Sequence, residues 1–405
     1  MTRNGSSSRR ACCRQIIAGW IQATGVPRIV RAVWQDKSLP PTPAGPDAET
    51  LWHIEARTEA GPVELTGRLV VTAQDGGVLL EERNGRLRQL KPDVIIRREP
   101  MEGVFARLTA DELAADLLQQ APDGFTIHQT PHYVIATNSA DGYADFCGRL
   151  LEKVHDEYFK WANGLMLPVR ELAAPLPVMM FHTAGEFQQF ARKQHPETSF
   201  DETPGYYSIR ENQTLLLDLT RDRSIRTASK IRQRLEEQPL QVATVVHEAV
   251  HQLAFNTSLQ TRMADNPLWI TEGLATWFEP LSPRSGLLWS KPGIVNARHQ
   301  PAFLKFCTGT TPQIAFRDLI ASDSAFLEDD SVAAAYAESW ALTTWLIREQ
   351  PDELSSYLRT IGRHQPLQPE SAEGRQTAFQ AAFGKTADEM HGDVVSYIRK
   401  LRVPR

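Results

Sequence analysis

The sequence predicts an α+β protein: a small β-barrel, then a larger unit that opens with strands and closes with helices. Three observations predict it. Residues 51–98 hold short runs of alternating apolar and polar residues, the period-2 pattern of half-buried strands. Residues 122–217 mix such runs with helically spaced stretches. Beyond them the apolar spacing is helical almost to the C-terminus, and strands followed by helices is the α+β order.

The chain has 405 residues, 41% hydrophobic and 23% charged. That is enough for one large or two moderate domains with an ordinary soluble core. Residues 1–34 carry six arginines and no acid, so the net charge of −5 becomes −11 for the remainder. Such a charge disfavours a nucleic-acid partner. No run approaches the ~18 apolar residues of a spanning helix, so no integral membrane segment is expected. Cys12, Cys13, Cys147 and Cys307 show no metal-ligand spacing.

Residues 1–50 read as a basic tail followed by a proline-rich linker from 35 onward, with Pro40, Pro41, Pro43 and Pro46. Within the tail, Ser8-Arg9-Arg10-Ala11-Cys12-Cys13-Arg14 resembles a twin-arginine export signal, and an uncharged stretch follows it. Cys12 and Cys13 stand where bulky apolar residues are usual, and no clean small-residue cleavage site follows. The expected location is extracytoplasmic (periplasm, cell envelope or secreted). A plain basic tail on a cytoplasmic protein is the alternative.

Residues 51–100 should form the barrel, about five strands separated by Gly61-Pro62, Asp75-Gly76-Gly77 and Asn84-Gly85 and closing in an SH3-like manner. Asn-Gly supplies the positive φ angles that tight hairpins need. The second unit spans 122–405. In it FTIHQTPHYVIATN, PVMMFH and GYYSIRENQTLLLDL read as strands of a small antiparallel sheet. Residues 142–163 and 184–193 between them read as helices.

The chemistry concentrates in residues 241–256, QVATVVHEAVHQLAFN, a largely apolar helix that contains HExxH. At 3.6 residues per turn, His247 and His251 stack on one face and can reach one ion. Glu248 lies beside them, where it can accept a proton from a water that the ion activates. Chance alone yields HExxH in on the order of one in a hundred chains of this length. Two unpaired histidines and a carboxylate in a buried helix would cost roughly 2 kcal/mol or more per group, however, and a metal removes that cost.

A third ligand is expected from NPLWITEGLATWFEP. Asn266 suits an N-cap, Pro267 the first helical position, and Pro280 the stop. Gly273 and Ala275 would let this helix approach the histidine helix while Glu272 points across, and Glu279 reads as a surface carboxylate. One zinc ion, Zn2+, held by His247, His251 and Glu272 would keep a fourth position open, as catalytic sites do.

HEAVH followed by WITEGLATWFE resembles the gluzincin clan of zinc metallopeptidases, whose aminopeptidase N branch has HExxH and then a WxNEGFA-type helix. The layout is also similar to a bacterial domain-of-unknown-function family grouped with peptidase-MA-like proteins. The similarity is strong over residues 241–280, weaker over 122–345 and absent in the barrel. It implies a zincin (thermolysin-like) catalytic domain, a peptide or protein substrate, and Glu272 as zinc ligand. Twenty residues separate His251 from Glu272, slightly more than is usual in that branch. Thr271 replaces its Asn, and no GxMEN motif occurs. Aminopeptidase specificity is therefore not supported.

An oxyanion donor opposite the Glu base completes such a site. Tyr336, downstream at a distance similar to that of the clan's catalytic tyrosine, is the candidate, with Tyr207, His364 and Ser339 as weaker choices. In zincins an edge strand pairs with the substrate backbone. This places Gly205 and Tyr206 as substrate contacts. The expectation is a zinc peptidase with Glu248 and Tyr336 as catalytic groups; a non-catalytic zincin-fold protein that binds a peptide or envelope component is the alternative.

Overall fold

The computed structural model describes residues 42–43, 49–58, 61–195, 204–220, 222–308, 314–328 and 330–403. The export-like segment and most of the proline-rich linker lie outside these. The alternating runs after residue 50 form five strands: β2 (Thr50–Thr58), β3 (Gly61–Thr72), β4 (Val78–Glu82), β5 (Leu87–Leu90) and β6 (Ile95–Val104). They pair antiparallel in the order β5-β4-β3-β2-β6, and a two-residue strand β1 (Thr42–Pro43) joins β3. Ile54, Ala56, Leu69, Val78 and Leu80 fill the core of this sheet.

The Asn84-Gly85 turn closes the β4–β5 hairpin through Glu82 N–H to Arg86 O at 2.9 Å and Gly85 N–H to Glu82 O at 2.8 Å. Gly85 has φ +91, and a Cβ there would strike the Arg107 and Asn212 side chains. Only glycine fits this turn.

The second sheet contains β7 (Thr126–Gln129), β8 (Tyr133–Thr137), β9 (Leu176–Phe181), β10 (Gly205–Ser208) and β11 (Gln213–Leu217) in the order β10-β11-β9-β8-β7. It is mixed, not antiparallel as expected: β9 runs parallel to both β8 and β11. The reason is the helices between the strands. Parallel neighbours need a crossover, and α2 (Asp141–Gly164) and α3 (Ala184–Gln194) provide it.

Period-2 alternation assigns the faces of this sheet. Val134, Ala136, Met179, Phe181, Leu215 and Leu217 pack under α3 and α1 (Ala110–Gln120). Tyr133, Ile135, Val178, Met180 and Leu216 join the main core with α2 and the histidine helix.

The rest is helical: α4 (Ala228–Glu236), α5 (Pro239–Asn256), α6 (Leu268–Phe278), α7 (His299–Thr308), α8 (Phe316–Ala321), α9 (Val332–Glu349), α10 (Pro351–Ile361), α11 (Ala372–Phe383) and α12 (Ala387–Lys400). Among the described residues no helix is long and apolar enough to cross a membrane.

Two local expectations for α6 change. Pro267 itself is the N-cap. Asn266 turns back to donate to Thr261 O and Ala264 O, and Asp323 accepts the Leu268 N–H at 2.9 Å. Gly273 serves the contact with α9 instead of α5, since a Cβ there would meet Thr343 Oγ1 and, at 2.9 Å, Ser339 O. Glycine thus permits the close α6–α9 crossing that carries Tyr336 to the site.

Candidate metal centre

Helix α5 presents His247, Glu248 and His251, with exposures of 0%, 0% and 4%. Helix α6 brings Glu272, 2% exposed, against them. His247 Nε2 lies 3.0 Å from His251 Nε2 and 3.2 Å from Glu272 Oε2, and His251 Nε2 lies 3.7 Å from Glu272 Oε1. A tetrahedral ion with bonds of ~2.0–2.1 Å sets its ligand atoms about 3.3 Å apart. The three groups therefore have the spacing of a single small cation's ligands.

Glu279 changes most from the sequence reading. It is 4% exposed, not at the surface, and its Oε1 lies 2.8 Å from His247 Nδ1. Trp277 and Phe278, the residues before it, are buried as well, and Asn296 Nδ2 donates to Glu279 Oε2 at 3.2 Å. His299 Nε2, at the start of α7, stands 3.6 Å from the same oxygen. Glu279 follows Glu272 by two helical turns on the same face, which is the signal that could have found it.

This carboxylate decides what His247 is suited to do. With an Nδ1 proton directed at Glu279, Nε2 is the nitrogen that faces Glu272 and His251, and it offers a lone pair there when an ion takes the place of its proton. Two imidazole lone pairs and a carboxylate converging in a dry site repel unless a cation or proton lies among them. Burial alone would push His247 down, but its hydrogen bonds to Glu272 and Glu279 outweigh it and lift it to about 10. Burial would raise Glu272 and Glu279 as well, yet the neighbouring histidines hold both well below the ordinary carboxylate range. The pocket is thus built to hold positive charge between fixed carboxylates, and a divalent ion fits its donor set.

Glu248 is held differently. Its Oε2 accepts the backbone N–H of Tyr207 at 2.8 Å, while its buried Oε1 has no partner. Burial is the first cause raising its pKa. The Tyr336 hydroxyl, on α9, is also buried. Burial, then the charge of Glu272 and a hydrogen-bonding interaction with its carboxylate, hold it well above the usual tyrosine value, and the charges of Glu248 and Glu279 add to this.

Gly205 and Tyr206 lie on β10, which ends the sheet. The Tyr206 side chain points away from the centre: its ring packs on Phe187 and its hydroxyl donates to Gln194. Tyr207, at the next position, is the residue whose backbone reaches Glu248. Its hydroxyl donates to Asn212 Oδ1. His364 Nδ1 bonds the Asp265 carbonyl, so neither side chain serves the centre.

A family model described as "Protein of unknown function (DUF1570)" matches residues 241–368. That span contains His247, Glu248, His251, Glu272, Glu279 and Tyr336. No curated protein matches the chain.

Proposed function

We propose that the chain is a zinc-dependent peptidase of the gluzincin type on a zincin fold, with Glu248 as general base. The observation that carries this reading is the convergence of two imidazole nitrogens and the Glu272 carboxylate at 3.0–3.7 Å beside a glutamate with one free oxygen. His247, His251 and Glu272 would hold the ion, which when bound supplies Lewis acidity and a water with a pKa near ~7. Three protein donors leave a fourth tetrahedral position for that water, which favours chemistry over binding alone.

The protein's own groups divide the remaining work. Glu279 fixes the tautomer and ring plane of His247. The Tyr207 N–H anchors one oxygen of Glu248. The other oxygen is left to take the proton of the attacking water and pass it to the leaving amine. Tyr336, beside Glu272, can donate its hydroxyl to the oxygen that gains charge. Because Tyr207 directs its N–H toward Glu248, the outer edge of β10 borders the centre. Gly205, two residues before it, directs its backbone to the same edge, where an extended peptide can pair; the backbone of Tyr206 faces β11.

Export of the chain rests on the arginine-rich segment alone. The reading of the N-terminal strands as an SH3-like barrel rests on their antiparallel order and short turns.

The test is cleavage of a mixed peptide library by the full chain beside Glu248→Gln. The expected result is turnover reduced by about 10²–10⁴-fold with zinc retained. Equal turnover by both proteins would exclude Glu248 as the base.

A further inference from the structure

A cavity of about 550 Å³ separates the N-terminal sheet from the C-terminal end of α5. Arg68, Arg107, Arg170 and Arg262 line it, and the acids in its wall are Glu81 and Glu171. Glu81, 2% exposed, receives Arg68 Nε at 2.6 Å and Arg107 Nη2 at 2.5 Å. It also receives Arg262 Nη2. One buried carboxylate thus faces three guanidinium groups. Arg170, at the rim, has no ion-pair partner among the described residues, and Glu171 beside it is exposed.

Four cations against two anions is a large imbalance for a recess with low-dielectric walls, where field lines are focused. Burial pushes Arg107 down to about 10; Glu81 pulls the other way, and the repulsion of Arg262 and Arg68 adds to burial. Phe105, which lies 4.9 Å under the Arg68 guanidinium, and Phe255 supply apolar wall. The volume falls in the ~300–1,000 Å³ range of small-molecule sites.

We propose that this cavity binds a small anionic ligand through a carboxylate or phosphate group held by Arg68, Arg107 and Arg170. Planar guanidinium forks match both anions bidentately. Arg262 has a second task, since it donates to Gly85 O at 2.6 Å and ties the sheet to the rest of the chain. The occupant would touch Phe255, which stacks on Tyr207 with centroids 6.0 Å apart. The site stands independently of the zinc reading.

The test uses the full chain with inorganic phosphate and with succinate, at ionic strength matched with sodium chloride. Thermal unfolding and equilibrium dialysis are the readouts. The expected result is a saturable rise in Tm and stoichiometric binding with at least one probe, weakened about 10-fold or more in Arg68→Gln and Arg107→Gln. Response to phosphate alone assigns a phosphate-bearing ligand; response to succinate alone assigns a carboxylate. Should the arginine variants fail to fold by circular dichroism, Ala106→Trp, which adds bulk to the cavity wall and replaces no arginine, must abolish the response. Absence of any saturable effect beyond sodium chloride, or an undiminished effect in the folded arginine variants or in Ala106→Trp, overturns the proposal.

Discussion

Glu272 on α6, Glu279 at its C-cap and Glu338 on α9 are buried alike, at 2%, 4% and 0% exposure, but their surroundings differ completely. The first two are each within hydrogen-bond reach of His247, and their pKa values fall. Both oxygens of Glu338 lack a partner, and burial alone pushes its pKa up to about 8. Depth of burial therefore does not mark the centre. Partnership with nitrogen donors of opposite or convertible charge does, and that is the arrangement a cation requires.

Three substitutions sharpen or break this contrast. Tyr336→Phe removes only a hydroxyl and is expected to lower kcat by about 10²–10³-fold while zinc content and Tm hold. A loss of zinc or of fold would instead make the hydroxyl structural. Glu279→Gln keeps the shape but not the charge behind His247. Zinc affinity should fall about 10–100-fold in a chelator competition, and an unchanged affinity would separate Glu279 from the centre.

Glu338→Gln probes the other side of the comparison. Below the ordinary value of 4.5 both folded and unfolded states carry the proton, so Glu338 costs nothing there. As pH rises to about 8 the unfolded state ionises first and stability falls, with the full loss present above the folded-state value. The lost increment is on the order of 3–5 kcal/mol. Tm measured from pH 4 to pH 9 should decline less in Glu338→Gln than in the parent, and parallel curves would show that Glu338 has a partner after all.

Much of this centre was legible because it lies within two continuous segments. HExxH in an apolar helix puts both imidazoles on one face by helix geometry alone, and Glu272 sits in a second apolar helix with no other use for a buried charge. What escaped reading depends on tertiary neighbours. Glu279 precedes Pro280 at a helix end, which suggests solvent; only the connection that folds Asn296 and His299 back over it buries the carboxylate. Gly273 announces a close helix contact but cannot say whether α5 or α9 makes it.

The second sheet teaches the same lesson. Its strands were legible by alternation, but their mixed direction was not, although the helices α2 and α3 between them already required a crossover. The arginine cavity joins residues as distant as Arg68 and Arg262, and no local pattern connects them.

The central claim is that His247, His251 and Glu272 share one divalent ion. Metal content of the full chain, purified without chelator or affinity-column metal, tests it most directly. The account predicts one zinc per chain, reduced to substoichiometric levels in both His251→Ala and Glu272→Ala while circular dichroism shows a folded protein. Folded parent protein without bound zinc, or undiminished zinc in both variants, would contradict it.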